Sequence, residues 1–201
     1  MTTALPRTLR TPRLVAERLE ERHIDDLERL YAEPAVADWL GGVAGRDEVL
    51  EWLETTVRPH WEWYGFGLFA LYTSSRPERR SLDVALGRPP GSAPETPVFV
   101  GRAGLMLAAE DVRDALGEPQ AVELLYALMP GQWGRGYATE IGRALAGLGL
   151  GQLGLGSLIA YTLPDNVRSR SVLEKCDFVE EREVAHEGMP HVLYRRRSPV
   201  R

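Results

Sequence analysis

The chain has 201 residues, 44% hydrophobic and 26% charged, the balance of a globular protein, which excludes a disordered or fibrous one. A net charge of −5 argues against a nucleic-acid-binding surface, and no run of about 20 apolar residues is present to span a bilayer. The lone cysteine, Cys176, leaves no internal disulfide, and Met1 to Arg13 holds no apolar signal-like core, so a cytoplasmic location is expected.

Along the chain, Arg13 to Leu19 alternates as a first strand. Ile24, Leu27, Leu30 and Tyr31 recur at helical spacing, with Pro34 expected to end or closely follow that helix. A second helix is predicted over Asp47 to Val57, closed by Pro59. Gly67 to Thr73 and Val98 to Leu107 read as strands. Between them, residues 74–97 are rich in Pro, Ser, Gly and Arg, which predicts a mobile excursion within one domain spanning 1–201. Val122 to Met129 is the most strand-like run, and Pro130-Gly131 breaks it. A helix follows over Tyr137 to Leu153, then a strand over Ser157 to Thr162 and a helix over Val167 to Lys175. Strands over Phe178 to His186 and His191 to Arg196 close the chain. The order β-α-α-β-β-β-α-β-α-β-β predicts a mixed α/β fold. Its sheet should be mostly antiparallel, of about six to seven strands, flanked by four helices.

Two glycine-rich places compete as ligand loops. Gly149, Gly151 and Gly154 match the dinucleotide pattern G-x-G-x-x-G in letters. They follow a helix and lead into a strand, so carbonyls rather than amides would meet a phosphate, and a helix terminus is the better reading. Gly131 to Ala138 has the opposite polarity. A strand ends, a turn follows and a helix begins, so free amides of the turn and first helical residues can cradle a pyrophosphate. No Lys-Ser/Thr pair follows, so this is not a Walker A loop.

Trp133-Gly-Arg-Gly-Tyr-Ala-Thr-Glu140 resembles the acyl-CoA pyrophosphate loop of the GCN5-related N-acetyltransferases (GNAT). It is closest to the branch typified by the ribosomal-protein N-terminal alanine acetyltransferases, where tryptophan is common at this position. Further landmarks fall in family order: Thr11-Pro-Arg-Leu14, Val100-Gly-Arg-Ala-Gly104, Asn166-Val-Arg-Ser169 through Phe178, and His191-Val-Leu-Tyr194. The resemblance spans Thr8 to Arg197. It implies the acyl-CoA N-acyltransferase fold and acetyl-CoA as acyl donor. It also implies direct attack by a primary amine on the thioester, with no acyl-enzyme and no metal.

The resemblance places donor contacts on Trp133, Gly134, Arg135, Gly136, Tyr137, Ala138 and Thr139. The backbone of Tyr126, Ala127, Leu128 and Met129 would pair with pantetheine amides, and Asn166 would be a pantetheine ligand, a helix cap, or both. Glu123 is the expected general base, set against a strand-edge carboxylate paired with an arginine. Ser169 either hydrogen-bonds the sulfur or is an ordinary helix N-terminal hydroxyl. The position seven residues after Asn166, where the family often carries an acidic tyrosine, is Leu173, so no general acid is assigned. Trp39 and Trp63, within an aromatic cluster, lie where the family builds the acceptor side, set against a reading as core. His191 lies on the last strand near the expected acceptor entrance, where it could handle a proton. His23, His60, His186 and His191 lack metal-ligand spacing. Cys176 reads as a small core residue. A homodimer is compatible with the family, and the acceptor is a protein N-terminus or a small-molecule amine. The alternative function is a CoA-binding regulatory protein that keeps the loop with little catalysis.

Overall fold

The computed structural model describes residues 4–40, 42, 44–74 and 96–199. The excursion expected over 74–97 lies almost wholly outside the described residues. Eight strands form one sheet: β1 (Thr8–Arg10), β2 (Leu14–Arg18), β3 (Leu68–Thr73), β4 (Phe99–Leu107), β5 (Val122–Leu128), β6 (Ser157–Thr162), β7 (Val179–His186) and β8 (Met189–Arg197). Their spatial order is β1-β2-β3-β4-β5-β6-β8-β7. Every neighbouring pair is antiparallel except β5 and β6, which run parallel through one register pair, Glu123 with Ile159. This is the mixed, mostly antiparallel fold expected, one strand larger because β1 pairs with β2 ahead of the predicted first strand.

The helices are α1 (Ile24–Tyr31), α2 (Pro34–Leu40), α3 (Arg46–Trp52), α4 (Arg58–Tyr64), α5 (Glu110–Leu116), α6 (Tyr137–Gly147) and α7 (Val167–Lys175). Pro34 closely follows α1, as expected, and also opens α2, because the ring's fixed φ suits a first helical turn, where an amide would lack a partner anyway. One expectation about proline is corrected: Pro59 does not stop its helix. A π-helical turn at Leu53–Val57 runs directly into α4, and that widened turn spares the chain the usual clash with the proline ring. Gly65, at φ 73°, ends the run. The helix α5 was not foreseen, although Glu110 and Asp111 in its first turn and Gly117 at φ 66° after it are ordinary helix boundaries.

The rings of Tyr31 and Trp52 place α1 and α3 on the sheet face that carries Arg102. On the opposite face, α6 and α7 meet β5: Gly142 lies against Cys176 and Leu124, and Ser169 against Tyr126. Leu27, Leu30, Val49, Leu68, Leu105, Leu124, Ile141 and Leu145 are all buried in the main core. The downstream glycine motif serves this core. Gly149 sits against Leu105 and Leu158, and Gly154, at φ 68°, ends the helix. Among the described residues, no helix is long and apolar enough to cross a membrane.

Candidate active site

The end of β5 builds the first half of the site. After Leu128 the chain makes a tight turn at Pro130–Gln132, and α6 starts at Tyr137. Gly134 and Gly136 have φ of 72° and 77°, a region where an L side chain clashes with its own backbone. Among the described residues, the amides of Gly134, Arg135 and Gly136 have no partner, and the first-turn amides of α6 have none by geometry. The turn therefore presents a run of donors at a positive helix end, with exposed Arg135 beside it.

Its shape is held from outside. Glu140 accepts from Thr11 Oγ1 at 2.6 Å, the Arg13 amide at 2.8 Å and Arg13 Nε at 2.5 Å. Arg13 then donates to the Arg135 carbonyl at 2.8 Å and stacks on Tyr137 at 4.9 Å. Two landmarks far apart in sequence are thus one staple. Trp133 plays a similar part. Its indole donates to the Leu128 carbonyl at 2.7 Å, and Arg168 covers its ring at 5.0 Å. The indole fixes the turn to the strand, and its one donor is already used.

The second half is the parting of β5 from β6. Beyond the Glu123–Ile159 pair the strands share no register, so the β6-facing edge of residues 124–128 opens as a cleft. An extended ligand with amide groups can pair with such an edge. On β5, side chains alternate. Glu123, Leu125 and Ala127 lie opposite Met106, Gly104 and Arg102 of β4, on the face of α1 and α3. Leu124, Tyr126 and Leu128 lie on the face of α6 and α7.

Glu123 is half-buried at the mouth of the cleft. Burial pushes its carboxyl up to about 7, against the opposing pull of a hydrogen bond from Tyr161 and the charge of Arg102. A carboxylate that takes up a proton near neutrality suits a general base. Tyr161 itself is held well above the usual phenol range, mainly by burial and next by the Glu123 charge, so it stays a hydrogen-bond donor. It packs edge-on against His186 at 5.1 Å and His191 at 5.7 Å, and His186 meets Asp111 at 3.1 Å. His191 is thereby a buried neighbour of the residue that contacts Glu123.

On the other face, Ser169 and Tyr126 are brought together. Asn166 caps α7, its Oδ1 accepting from the Ser169 amide at 3.1 Å, and the Ser169 hydroxyl lies 2.9 Å from Tyr126 Oη. Burial drives the Tyr126 phenol above its usual range. Leu173 is core. Cys176 is fully buried, its thiol is pushed up to about 11 by burial, and it points at the Thr139 carbonyl; this is the setting of a packed, inert thiol.

The aromatic residues divide. Trp61 is core, donating to the Leu68 carbonyl at 3.1 Å. Trp39 and Trp63 are 42% and 75% exposed, and among the described residues neither makes a ring contact or hydrogen bond with the groups above. His60 is structural: one ring nitrogen contacts the Phe66 carbonyl at 2.8 Å, and the other accepts from the Leu107 amide at 2.9 Å. Three participants were missed from sequence: the Arg13–Glu140 staple, Tyr161, and Arg102. Arg102 had a visible signal, a lone charge inside an apolar strand between glycines. Tyr161 had none, because its nearness to Glu123 depends on the parallel pairing.

The Acetyltransferase (GNAT) domain family matches the chain over residues 13–179. The chain is 23% identical over 192 residues to the uncharacterized protein YkkB of Bacillus subtilis (strain 168), covering 92% of this chain and 96% of that one. Its fold is similar to that of an acetyltransferase from Agrobacterium tumefaciens str. C58, with a TM-score of 0.72 at 21% identity over 96% and 95% of the two chains. It is also similar to spermidine N-acetyltransferase from Vibrio cholerae in complex with CoA and spermine, with a TM-score of 0.67 at 13% identity over 94% and 97%. With a strand-to-helix anion turn and a split sheet both in place, and a family match over most of its length, the chain belongs to the GNAT acetyltransferase family.

Proposed function

We propose that the protein transfers an acetyl group from acetyl-CoA to a primary amine by direct attack in a ternary complex. The observation that carries this reading is Glu123 at the mouth of the β5–β6 cleft, with its carboxyl pushed up to about 7. The donor's pyrophosphate would rest on the amides of Gly134 to Thr139, and its pantetheine arm would pair with the open edge of Tyr126 to Met129. Binding of CoA by the spermidine N-acetyltransferase of similar fold supports this assignment. The tryptophan of the turn supports a place in the ribosomal-protein alanine acetyltransferase-like branch.

In this mechanism Glu123 accepts a proton from the incoming ammonium or its water, leaving a neutral amine to attack. As the tetrahedral adduct collapses and the C–S bond breaks, the surplus proton on nitrogen passes through water to the departing sulfur, giving the amide and the free thiol. The departing thiolate receives a hydrogen bond from the Ser169 hydroxyl, which Tyr126 holds in place: Tyr126 Oη donates to the Ser169 carbonyl at 3.1 Å and lies 2.9 Å from the Ser169 hydroxyl. With its pKa raised, Tyr126 keeps its proton, so the pair stabilises charge rather than surrendering a proton. The pair thus takes the place that Leu173 leaves empty. The test is an amine panel with acetyl-CoA, read by free-thiol release, alongside melting with the cofactor. Acetyl-CoA is expected to raise Tm by mass action, and at least one primary amine to release thiol. No Tm shift at millimolar acetyl-CoA and no thiol release would end this reading.

A further inference from the structure

We propose that Arg102 is the anchor for a carboxylate on the acceptor, so that the substrate is a primary amine carrying a carboxylate, as an amino acid does. The proposal rests on the acetyl-transfer reading for its amine half and on Arg102 for its acid half.

Arg102 lies in the middle of β4 with only 6% of its surface exposed. Its Nε and Nη1 are buried with no hydrogen-bond partner, and among the described residues no carboxylate pairs with it. The guanidinium instead lies over the rings of Tyr31 at 5.4 Å and Trp52 at 5.3 Å. Ring faces compensate the charge, but the N–H groups of Nε and Nη1, on two different edges of the guanidinium, are left unmet. A buried donor without an acceptor is costly, and such groups are rare in native folds. Elsewhere this protein pairs its buried arginine fully. Arg195, equally buried, is held by Glu118 at 2.9 Å from each of two nitrogens and by Glu181 at 2.7 Å. Arg102 departs from that practice, and a carboxylate oxygen is the acceptor that a charged N–H group binds most strongly.

Its placement says where that carboxylate comes from. A β-bulge precedes it, since Leu71 pairs with Gly101 and Tyr72 with Phe99, and bulges recur where a strand must re-aim a side chain. Arg102 and Glu123 share one sheet face: Arg102 opposes Ala127, and Glu123 opposes Met106 four residues along β4. The Arg102 charge is felt at Glu123, yet the two form no ion pair. Between them the face is lined by Gly104, against which the backbone of Gly67 and Leu68 is packed, and half-buried Leu125. A substrate that is positive at one end and negative at the other satisfies both groups at once. A polyamine would instead bring an ammonium to a buried guanidinium. The acceptor of this protein should therefore differ from the spermine held by its structural neighbour.

The test compares the L-amino acids, β-alanine and γ-aminobutyrate with their matching amides and with spermine. Thiol release from acetyl-CoA is followed, together with tryptophan fluorescence and Tm of the CoA-loaded protein. Wild type should favour its best acid over the matching amide by about 10- to 100-fold, chiefly in KM. Arg102→Met, which packs against the same rings without donors, should bring that ratio to about 1, and Arg102→Lys should fall between. Wild type that acetylates amides or spermine in preference to every acid overturns the proposal and leaves acetyl transfer standing; this comparison needs no variant. So does an undiminished ratio in Arg102→Met. Arg102-dependent binding of acids without any thiol release would uphold the carboxylate site and sink the activity. Neither binding nor release with any probe would sink both.

Discussion

Replacing Glu123 by Gln should move stability and turnover in opposite directions, and the size of each follows from one number. Burial holds the Glu123 carboxyl at about 7 in place of its ordinary 4.5. A carboxyl whose folded pKa is raised binds more protons folded than unfolded between those two values. Its contribution is therefore most favourable below 4.5 and is lost as pH rises through 7. Integrating between the two pKa values, the ionised carboxylate costs the fold about 3 kcal/mol at pH 8 and about 1 kcal/mol at pH 5. Gln fills the same space, stays neutral and can still accept from Tyr161. Glu123→Gln should thus be the more stable protein, and its advantage should grow by about 2 kcal/mol from pH 5 to pH 8, or about 4–8 °C in Tm for a chain of this size. Turnover should fall about 100-fold or more with acetyl-CoA affinity unchanged, and the wild-type rate should rise with pH through an inflection near 7. Urea melts at the two pH values and a pH–rate profile measure both. A variant no more stable than wild type at pH 8, or a wild-type profile flat across neutrality, would refute the reasoning.

Three further outcomes are expected. His60 accepts from the Leu107 amide, so protonation breaks that bond, and burial lowers its pKa below the ordinary 6.5. The unfolded chain then takes up the proton first, and stability should fall as pH drops below 6.5. His60→Phe should flatten that acid slope while costing about 1–3 kcal/mol at pH 8, in paired urea titrations; His23 shifts in the same direction, so some slope persists. Gly134→Ala should cost about 1–2 kcal/mol through φ alone, because a Cβ there meets nothing within 4 Å, and should weaken acetyl-CoA about tenfold by calorimetry. Unchanged affinity would remove the turn from cofactor binding. Glu140→Ala releases Arg13 from both Glu140 and the Arg135 carbonyl, at about 1–3 kcal/mol given the partly exposed pair, and should weaken acetyl-CoA as well.

Much of the scaffold was legible because its signals are local. Strand alternation and helical spacing located β2 to β8 and helices α1, α3, α6 and α7. The polarity of the glycine turn separated a strand-to-helix turn with free amides from a helix end that matched a better-known pattern. The error at Pro59 has a local cause: the proline reads as a stop, when the widened turn before it lets the helix absorb the ring. What sequence could not supply was partnership across the chain. Thr11, Arg13 and Glu140 each belong to a recognisable motif, but their joint role requires β2 to lie beside the start of α6. Ser169 and Tyr126 were separately marked, and only the fold makes them one hydrogen-bonded pair.

The two-residue period of β5 then explains how one short strand can serve both ends of a transfer. Glu123 and Tyr126 are three residues apart, an odd number, so they stand on opposite faces of the sheet. A proton acceptor on one face and a hydroxyl pair on the other cannot act on one bond across a continuous sheet, because β6 would fill the space between them. The sheet is not continuous there. β5 and β6 pair in register only at Glu123 and Ile159, so in the proposed mechanism the strand edge beyond would admit a thioester, approached by the amine from the α1–α3 side and released toward Ser169. Loss of pairing, which in most sheets weakens an edge, is in that mechanism what would let the two faces meet. A variant that tightened β5 against β6 should leave Glu123 and Ser169 intact and still abolish transfer.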